Sequence, residues 1–259
     1  MKKLIKYIDI GNTHTKILED DLVTILSTQD VLSKKLPLSF NEFNLNNVGA
    51  GNSNLFVISS VVPAALNSME ELLCSKGDYI VIDKKAEFSF KHDLKGVGVD
   101  RLLAVEGALS KFKSEMIVID AGTAITIDFV GRSNDSFEFK GGFIVPGFNT
   151  TLRSLSQNTS QLPEFNFFIP EEGISRDTVS AINSGICLSV SYGVQGLINS
   201  CEEKNTGAKR LVITGGMSTF LYELIRKHPG YLEDYEIILE KDLIFLGMKN
   251  IMKNKEVQQ

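Results

Sequence analysis

The chain has no tryptophan, and its three cysteines, Cys74, Cys187 and Cys201, are odd in number and scattered. Without a Cys-x-x-Cys pair there is no disulfide framework and no zinc ribbon, so reduced, mostly buried thiols of a cytoplasmic protein are expected. The three histidines, His14, His92 and His228, lack zinc-ligand spacing, which argues against a metal held by soft ligands. An excess of one charge is missing too. With 27 Lys+Arg against 32 Asp+Glu, the formal charge of −5 leaves no footprint for nucleic acid or an acidic membrane. The opening MKKLIKYIDIGN is interrupted by Lys6 and Asp9, too early for a signal peptide or membrane anchor. Absent nucleotide motifs exclude more. No Gly-x-x-x-x-Gly-Lys-Ser/Thr means no P-loop kinase, no Gly-x-Gly-x-x-Gly follows a strand, and the protein-kinase set is missing. At 43% hydrophobic and 23% charged, the 259 residues suit an ordinary globular protein of one large domain or two modest ones.

What is present is a repeated stretch. Val118–Ile127 (VIDAGTAITI) reads as a buried strand ending in Asp120, a tight turn at Ala121-Gly122, and a second strand. Tyr7–Lys16 (YIDIGNTHTK) says nearly the same: an apolar strand, Asp-x-Gly, a small polar residue, and a Thr four positions after the Gly (Thr15, Thr126). A strand that ends in Asp-x-Gly sets a carboxylate at the sheet's edge, within reach of a cation. Gly11 and Gly122 permit a close approach that a Cβ would block. Successive amides at Asn12-Thr13 and Thr123-Ala124 can form an anion-binding concavity. Carboxylate and donors together suit a polyphosphate carrying Mg²⁺, which takes one or two carboxylates plus phosphate oxygens and water. One Asp-x-Gly is usually a plain turn. Two copies predict two domains closing on a nucleotide.

The pattern along the chain alternates strand and helix, which predicts α/β layering. Strands are expected at Leu4–Ile10, Thr15–Leu18, Leu22–Ser27, Leu55–Ser60, Tyr79–Ile82, from Met116, at Phe137–Phe139, Phe143–Val145, Leu211–Thr214 and Tyr235–Leu239. Gln29–Leu45 predicts one helix with loops. Further helices are expected from Pro63 to about Cys74, from Asp100 to about Phe112, over Thr150–Ser156, from Thr178 to about Glu203 behind the N-cap Asp177, over Ser218–His228 and over Leu243–Met252. Leu162–Pro170, with two prolines, reads as a loop. The domain boundary is placed near Ser114, giving domains 1–114 and 115–259.

These motifs resemble those of type III pantothenate kinases, in the acetate-and-sugar-kinase/Hsp70/actin superfamily. The resemblance rests on DIGNTHTK (Asp9–Lys16), GVDR (Gly98–Arg101), DAGTAIT (Asp120–Thr126), GGFIVPG (Gly141–Gly147), Leu162-Pro163, Thr178 with Ser184-Gly185, and TGG (Thr214–Gly216), in that order and spacing. It implies two duplicated ribonuclease-H-like domains, the actin-like ATPase fold with a central cleft, in a cytoplasmic homodimer with its site near the interface. It implies that Asp9, Ile10, Gly11, Asn12, Thr13, His14, Thr15 and Lys16 form the first phosphate loop, with Asp9 near Mg²⁺. Thr123 would meet the ATP phosphates and Asp120 a monovalent cation, K⁺ or NH₄⁺. Gly98, Val99, Asp100, Arg101 and Thr178 would hold pantothenate, with Asp100 as the base that takes the hydroxyl proton. The family's Tyr-x-Asn-Pro-like run is replaced here by Lys91-His92-Asp93-Leu94, so an aromatic wall of the substrate pocket is missing or supplied elsewhere.

Each residue also has a plainer reading. Asp100-Arg101 alone would be a helix N-terminus with a surface ion pair. Phosphoryl transfer, however, needs positioning, charge neutralisation and a carboxylate oriented to the attacking hydroxyl, and three aspartates fit that division of labour. Arg101 could pair in fork geometry with a substrate carboxylate. Thr178 alone would be a local capping partner. Gly215-Gly216 stands evenly between close packing and an adenosine shelf, and Gly185, Gly193 and Gly196 suggest close helix packing. His14 reads as an exposed strand residue without a catalytic role, Asp128 as solvent-facing, and Phe165, Phe167 and Phe168 as hydrophobic packing at a dimer contact. Two other functions stay open: a kinase of a sugar or other small hydroxyl compound, and a catalytically silent nucleotide-binding regulator.

Overall fold

A computed structural model of the chain describes residues 4–35, 54–74, 76–93, 95–158, 166–171, 173–201 and 209–257. The Leu162-Pro163 pair, Phe165 and the span 36–45 lie outside them. The described chain forms two compact units: Met1–Phe88 with Lys95–Ser110 and Ile244–Gln259, and Ser89–Leu94 with Lys111–Leu243.

The first unit is built on strands β1 (Leu4–Ile10), β2 (His14–Glu19), β3 (Leu22–Ser27), β4 (Asn54–Ser60) and β5 (Asp78–Ile82), in the order β3-β2-β1-β4-β5. β1 runs antiparallel to β2 and parallel to β4, and β4 parallel to β5. Burial on both faces explains why LFVISS reads as one apolar run rather than an alternating one. On one face Ile8, Ile10, Phe56 and Ile58 pack against Val31 of helix α1 (Thr28–Leu32) and Ala65, Met69 and Leu73 of α2 (Pro63–Leu73). On the other, Tyr7, Leu55 and Val57 meet Val99 and Leu103 of α3 (Val99–Phe112) and Phe245, Met248, Ile251 and Met252 of the last helix, Leu243–Val257.

The second unit has β6 (Phe90–Lys91), β7 (Met116–Ala121), β8 (Ala124–Ser133), β9 (Ser136–Pro146), β10 (Arg210–Thr214) and β11 (Glu236–Leu239), in the order β11-β10-β7-β8-β9-β6. Without β6 this is the first sheet's order again: β9-β8-β7-β10-β11 repeats β3-β2-β1-β4-β5, with the same antiparallel and parallel pairings. One core gathers Ile119, Ile125, Ile127, Phe148 of α4 (Phe148–Asn158), Ile186, Val190, Val194 and Ile198 of α5 (Thr178–Cys201), and Leu221 and Leu224 of α6 (Ser218–Lys227). The final helix, after a 3₁₀ turn at Gly230–Leu232, is α7.

Several sequence expectations need correction. The terminal helix, assigned to the domain 115–259, packs in the first unit for physical reasons. Gly247 lets it approach so closely that a Cβ there would stand 2.1 Å from Leu103 O, and Asn250 Nδ2 donates to the buried Glu106 Oε1 at 2.6 Å. Phe137–Phe139 and Phe143–Val145 are one strand, interrupted only by a register shift opposite Phe129/Val130. Asp128 alternates out of the Ile127 face as expected, but its own face is closed: it is wholly buried and its Oδ2 accepts from Thr126 Oγ1 at 3.1 Å. Among the described residues Gly185, Gly193 and Gly196 make no close approach, since a Cβ at any of them would meet nothing there within 4 Å. Cys74 is exposed; Cys187 is buried, and burial pushes its thiol up to about 12. Helix α5 is long and apolar enough to cross a membrane by length and composition. Its buried face nevertheless carries Asn183, Ser191 and Gln195, each bonded within the second unit, as a core helix would.

Candidate functional site

In the first unit β1 ends at Ile10, and Gly11–Thr13 turn the chain into β2, with Gly11 N donating to His14 O at 3.0 Å. The turn is held from the side by the first residue of α1. Thr28 N donates to Thr13 O at 3.0 Å, and Thr28 Oγ1 donates to Gly11 O at 2.7 Å and lies 3.2 Å from Thr15 Oγ1. From the other side Val61, just past β4, donates its N–H to Ile10 O at 3.1 Å. Ile10 and Thr15 therefore serve the frame and are fully buried, while Asn12 and His14 stand exposed at the tip and Thr13 is half-buried. Asp9 pairs in register with Lys16 on β2 and with Ser59 on β4. Strand alternation puts all three side chains on the Tyr7–Val57 face. Asp9 is buried; Ser59 is 0% exposed, and its hydroxyl has no hydrogen-bond partner among the described residues.

Asp100 joins this end of the sheet through Gly98. The Asp100 carboxylate folds back over Gly98, where a Cβ would stand 2.3 Å from Oδ1 and 3.7 Å from Val61 Cγ1. Val99 and Leu103 anchor α3 in the core, and Asp100 Oδ1 accepts from Arg101 N at 2.9 Å. Burial pushes the Asp100 carboxyl above the usual carboxylate range, against the opposing pull of the Arg101 N–H and the Arg101 charge. An anionic group in the first turn also complements the helix dipole. A partly desolvated carboxylate of raised basicity can accept a proton.

The second unit repeats the frame. β7 ends at Ala121, Gly122 N donates to Ala124 O at 3.0 Å, and the turn is the pair Gly122-Thr123. The start of α4 holds it: Gly147 N donates to Thr123 O at 3.0 Å and Thr150 Oγ1 to the same oxygen at 2.6 Å. Met217, past β10, donates its N–H to Ala121 O at 2.8 Å, as Val61 does to Ile10 O. Asp120 pairs in register with Thr126 and with Thr214. Gly215, at φ +96°, closes on it: a Cβ there would stand 2.2 Å from Asp120 Oδ1 and 2.7 Å from Ala121 O, whereas one at Gly216 would meet nothing within 4 Å. Of the two readings of Gly215-Gly216, close packing holds for the first glycine. Thr123 is exposed, as is Thr178 at the start of α5, where Asp177 Oδ1 accepts from Ser180 N at 2.9 Å. That N–H bond holds the Asp177 carboxyl below its usual range. Phe167 packs edge-on to Phe148 and tilted to Phe220, and Phe168 is exposed.

The structure thus gathers Asp9, Lys16, Gly98 and Asp100 at one end of the first sheet, and Asp120, Thr123 and Gly215 at the matching end of the second. These are the carboxyl ends of parallel strands, where α/β sheets receive ligands. Sequence reasoning missed Ser59, Thr28 and Thr150. LFVISS read only as a buried strand; its signal was a pair of hydroxyls where the apolar run stops.

Comparisons with known proteins decide the family. The sequence model of type III pantothenate kinase matches residues 6–200. The chain belongs to the type III pantothenate kinase family. It is 30% identical over 232 residues to the type III pantothenate kinase of Sulfurihydrogenibium sp., covering 85% of this chain and 91% of that one. Among solved structures it is similar to a conserved protein of the Baf transcriptional-activator family from Campylobacter jejuni, at a TM-score of 0.63 and 24% identity, over 97% of this chain and 98% of that one. The pCBH ParM non-polymerisable quadruple mutant follows at a TM-score of 0.54 and 12% identity, over 98% and 99%. Both likenesses concern the fold, which is the actin-like ATPase fold of the family.

Proposed function

We propose that this chain phosphorylates pantothenate at its terminal hydroxyl with ATP, giving 4′-phosphopantothenate, the first step of coenzyme A biosynthesis. The observation that carries this reading is the family match, which runs through Asp9, Asp100, Asp120 and Thr178. Asp100 is the general base: its half-buried carboxyl of raised basicity takes the hydroxyl proton as the oxygen attacks the γ-phosphoryl group. Gly98 and Val99 shape the backbone around the substrate, Arg101 pairs with its carboxylate, and Thr178 contributes a further hydroxyl. The hairpin amides of Asn12 and Thr13, with Lys16, hold phosphate oxygens, as does Thr123, and Gly11 lets the backbone come close to them.

Asp9 and Asp120 fit hard cations. Among the described residues no three His, Cys, Asp or Glu converge, so a cation at either carboxylate would complete its shell with phosphate, backbone and water. The unpartnered Ser59 hydroxyl beside Asp9 is a donor such a shell would use. We assign Mg²⁺ to Asp9 and K⁺ or NH₄⁺ to Asp120; when bound, these ions neutralise charge on the transferring group. The protein is cytoplasmic and a homodimer in this reading. Ala181, Gly185 and Gly193 lie exposed on α5, small residues suited to the approach of a second copy.

Pantothenate-dependent ADP release, measured with and without K⁺, tests the reading. Release that requires pantothenate and rises with K⁺ is expected. No release with pantothenate but abundant release with a hexose would move the assignment to a sugar kinase.

A further inference from the structure

Ser59 occupies a place that packing alone does not explain. Leu55 and Val57 precede it on the same face of β4 and bury apolar side chains against Tyr7, Val99 and Leu103. A third apolar residue would continue that face. Instead the position holds a hydroxyl that is 0% exposed and makes no hydrogen bond among the described residues. Leaving a buried hydroxyl unpaired is unfavourable, so its retention calls for a compensating use. Its neighbour Ser60 has one already: Ser60 Oγ accepts from Val62 N at 3.0 Å and closes the turn into α2.

The neighbour in register with Ser59 is Asp9, on the adjacent parallel strand and the same face. Neighbouring strands lie roughly 4.8 Å apart, and the Ser59 hydroxyl makes no direct bond to the Asp9 carboxylate; polar groups so placed are commonly joined through a water. The second unit repeats the pairing independently. There the residue in register with Asp120 is Thr214, 3% exposed, again a hydroxyl opposite the carboxylate. In both copies, therefore, the parallel strand beside the acidic one ends its buried run in a hydroxyl residue.

We infer that Ser59 is a positioning residue for Asp9: through one bridging water its hydroxyl fixes the carboxylate in the orientation that receives the cation of a bound nucleotide. The inference rests on the assignment of Mg²⁺ to Asp9. It concerns nucleotide and metal only, so it can be tested without the acceptor substrate.

The experiment measures ADP binding by calorimetry, with Mg²⁺ and with EDTA, for the wild type, Ser59→Ala and Ser59→Thr. Thr is the residue the second copy carries at this register. Ser59→Ala should weaken Mg²⁺-ADP binding by about 3–10-fold, the scale of one hydrogen bond, and leave ADP binding in EDTA unchanged. Its melting temperature without nucleotide should equal or exceed that of the wild type, because an unpaired hydroxyl has been removed. Ser59→Thr should recover most of the Mg²⁺-dependent affinity. Wild-type Mg²⁺-ADP affinity in Ser59→Ala would overturn the inference, as would equal losses with Mg²⁺ and EDTA, or a melting temperature several degrees lower. A wild type that binds Mg²⁺-ADP but does not phosphorylate pantothenate would end the acceptor assignment and leave the Ser59 result standing. A wild type whose ADP binding ignores Mg²⁺ would overturn the assignment of Mg²⁺ to Asp9 and, with it, the Ser59 inference.

Discussion

In the first unit the acidic hairpin turns through three residues, Gly11–Thr13, and is pinned by the side chain of Thr28; in the second it turns through two, Gly122-Thr123, and is pinned by Gly147 and Thr150. Strand order, the carbonyl bond from beyond the parallel strand, and the hydroxyl opposite the carboxylate are the same in both. What the copies share is the frame that holds an Asp at the sheet's end. What they do not share marks their separate work: Lys16 opposite Asp9 and Asp100 folded over Gly98 in the first, a glycine closed over the Asp120 carboxylate in the second.

The largest effect should come from a residue present in the first copy alone. Asp100→Asn should lower turnover by about 10²–10⁴-fold, the range for a positioned acid–base group, while Mg²⁺-ATP binding stays near wild type. Steady-state kinetics with calorimetry separates the two. The raised carboxyl also predicts a pH dependence. Because folding raises its pKa, the folded state holds the proton more tightly than the unfolded state. The carboxyl's stabilising contribution is thus full below the ordinary carboxylate range and is lost as pH rises through the folded value. Asp100→Asn should therefore melt higher than wild type at neutral pH, and the gain should vanish in acid. Wild-type activity should fall on the acid side at a pH above the usual carboxylate range.

The glycine-lined second copy makes the next contrast. Gly215→Ala combines a positive φ with a collision at the Asp120 carboxylate and should cost about 1–3 kcal/mol in denaturant unfolding. Gly216→Ala has open space and should stay within about 0.5 kcal/mol of wild type. Equal costs would show that Gly215 does not shape the acidic end of β7.

The side pins should differ least. Thr28→Val removes a bond to Gly11 O and leaves the buried Thr15 hydroxyl without that partner, for a loss of about 1–3 kcal/mol. Thr150→Val removes one exposed bond and should cost about 0.5–1.5 kcal/mol. Chemical denaturation of both variants ranks the pins.

Much of this was legible in the chain itself. The strands of both hairpins, the helix behind Asp100 and the Asp177 cap follow from apolar period and capping chemistry, which are local. The overlay of the two hairpins was also visible, but it slipped by one residue. Matching Thr15 to Thr126 ignores the extra turn residue; in register Asp9 faces Lys16 and Asp120 faces Thr126. A slip of one exchanges the two faces of a strand. Thr15 is accordingly buried against Thr28, while Thr126 lies on the side of Asp120 and bonds Asp128. The packing of α7 in the first unit depends on Gly247 meeting Leu103, a contact between distant segments that no local pattern carries. Asp128 shows the same limit: alternation gives its face, but only tertiary packing decides whether that face is wet.

The central claim is that one frame, built twice, serves two different cations. The direct measurement is the melting temperature of the ADP-saturated protein, titrated with Mg²⁺ and separately with K⁺, in wild type, Asp9→Asn and Asp120→Asn. The account predicts that Asp9→Asn loses the Mg²⁺ response and keeps the K⁺ response, with Asp120→Asn doing the reverse. Both variants losing the same response, or neither losing any, would contradict it.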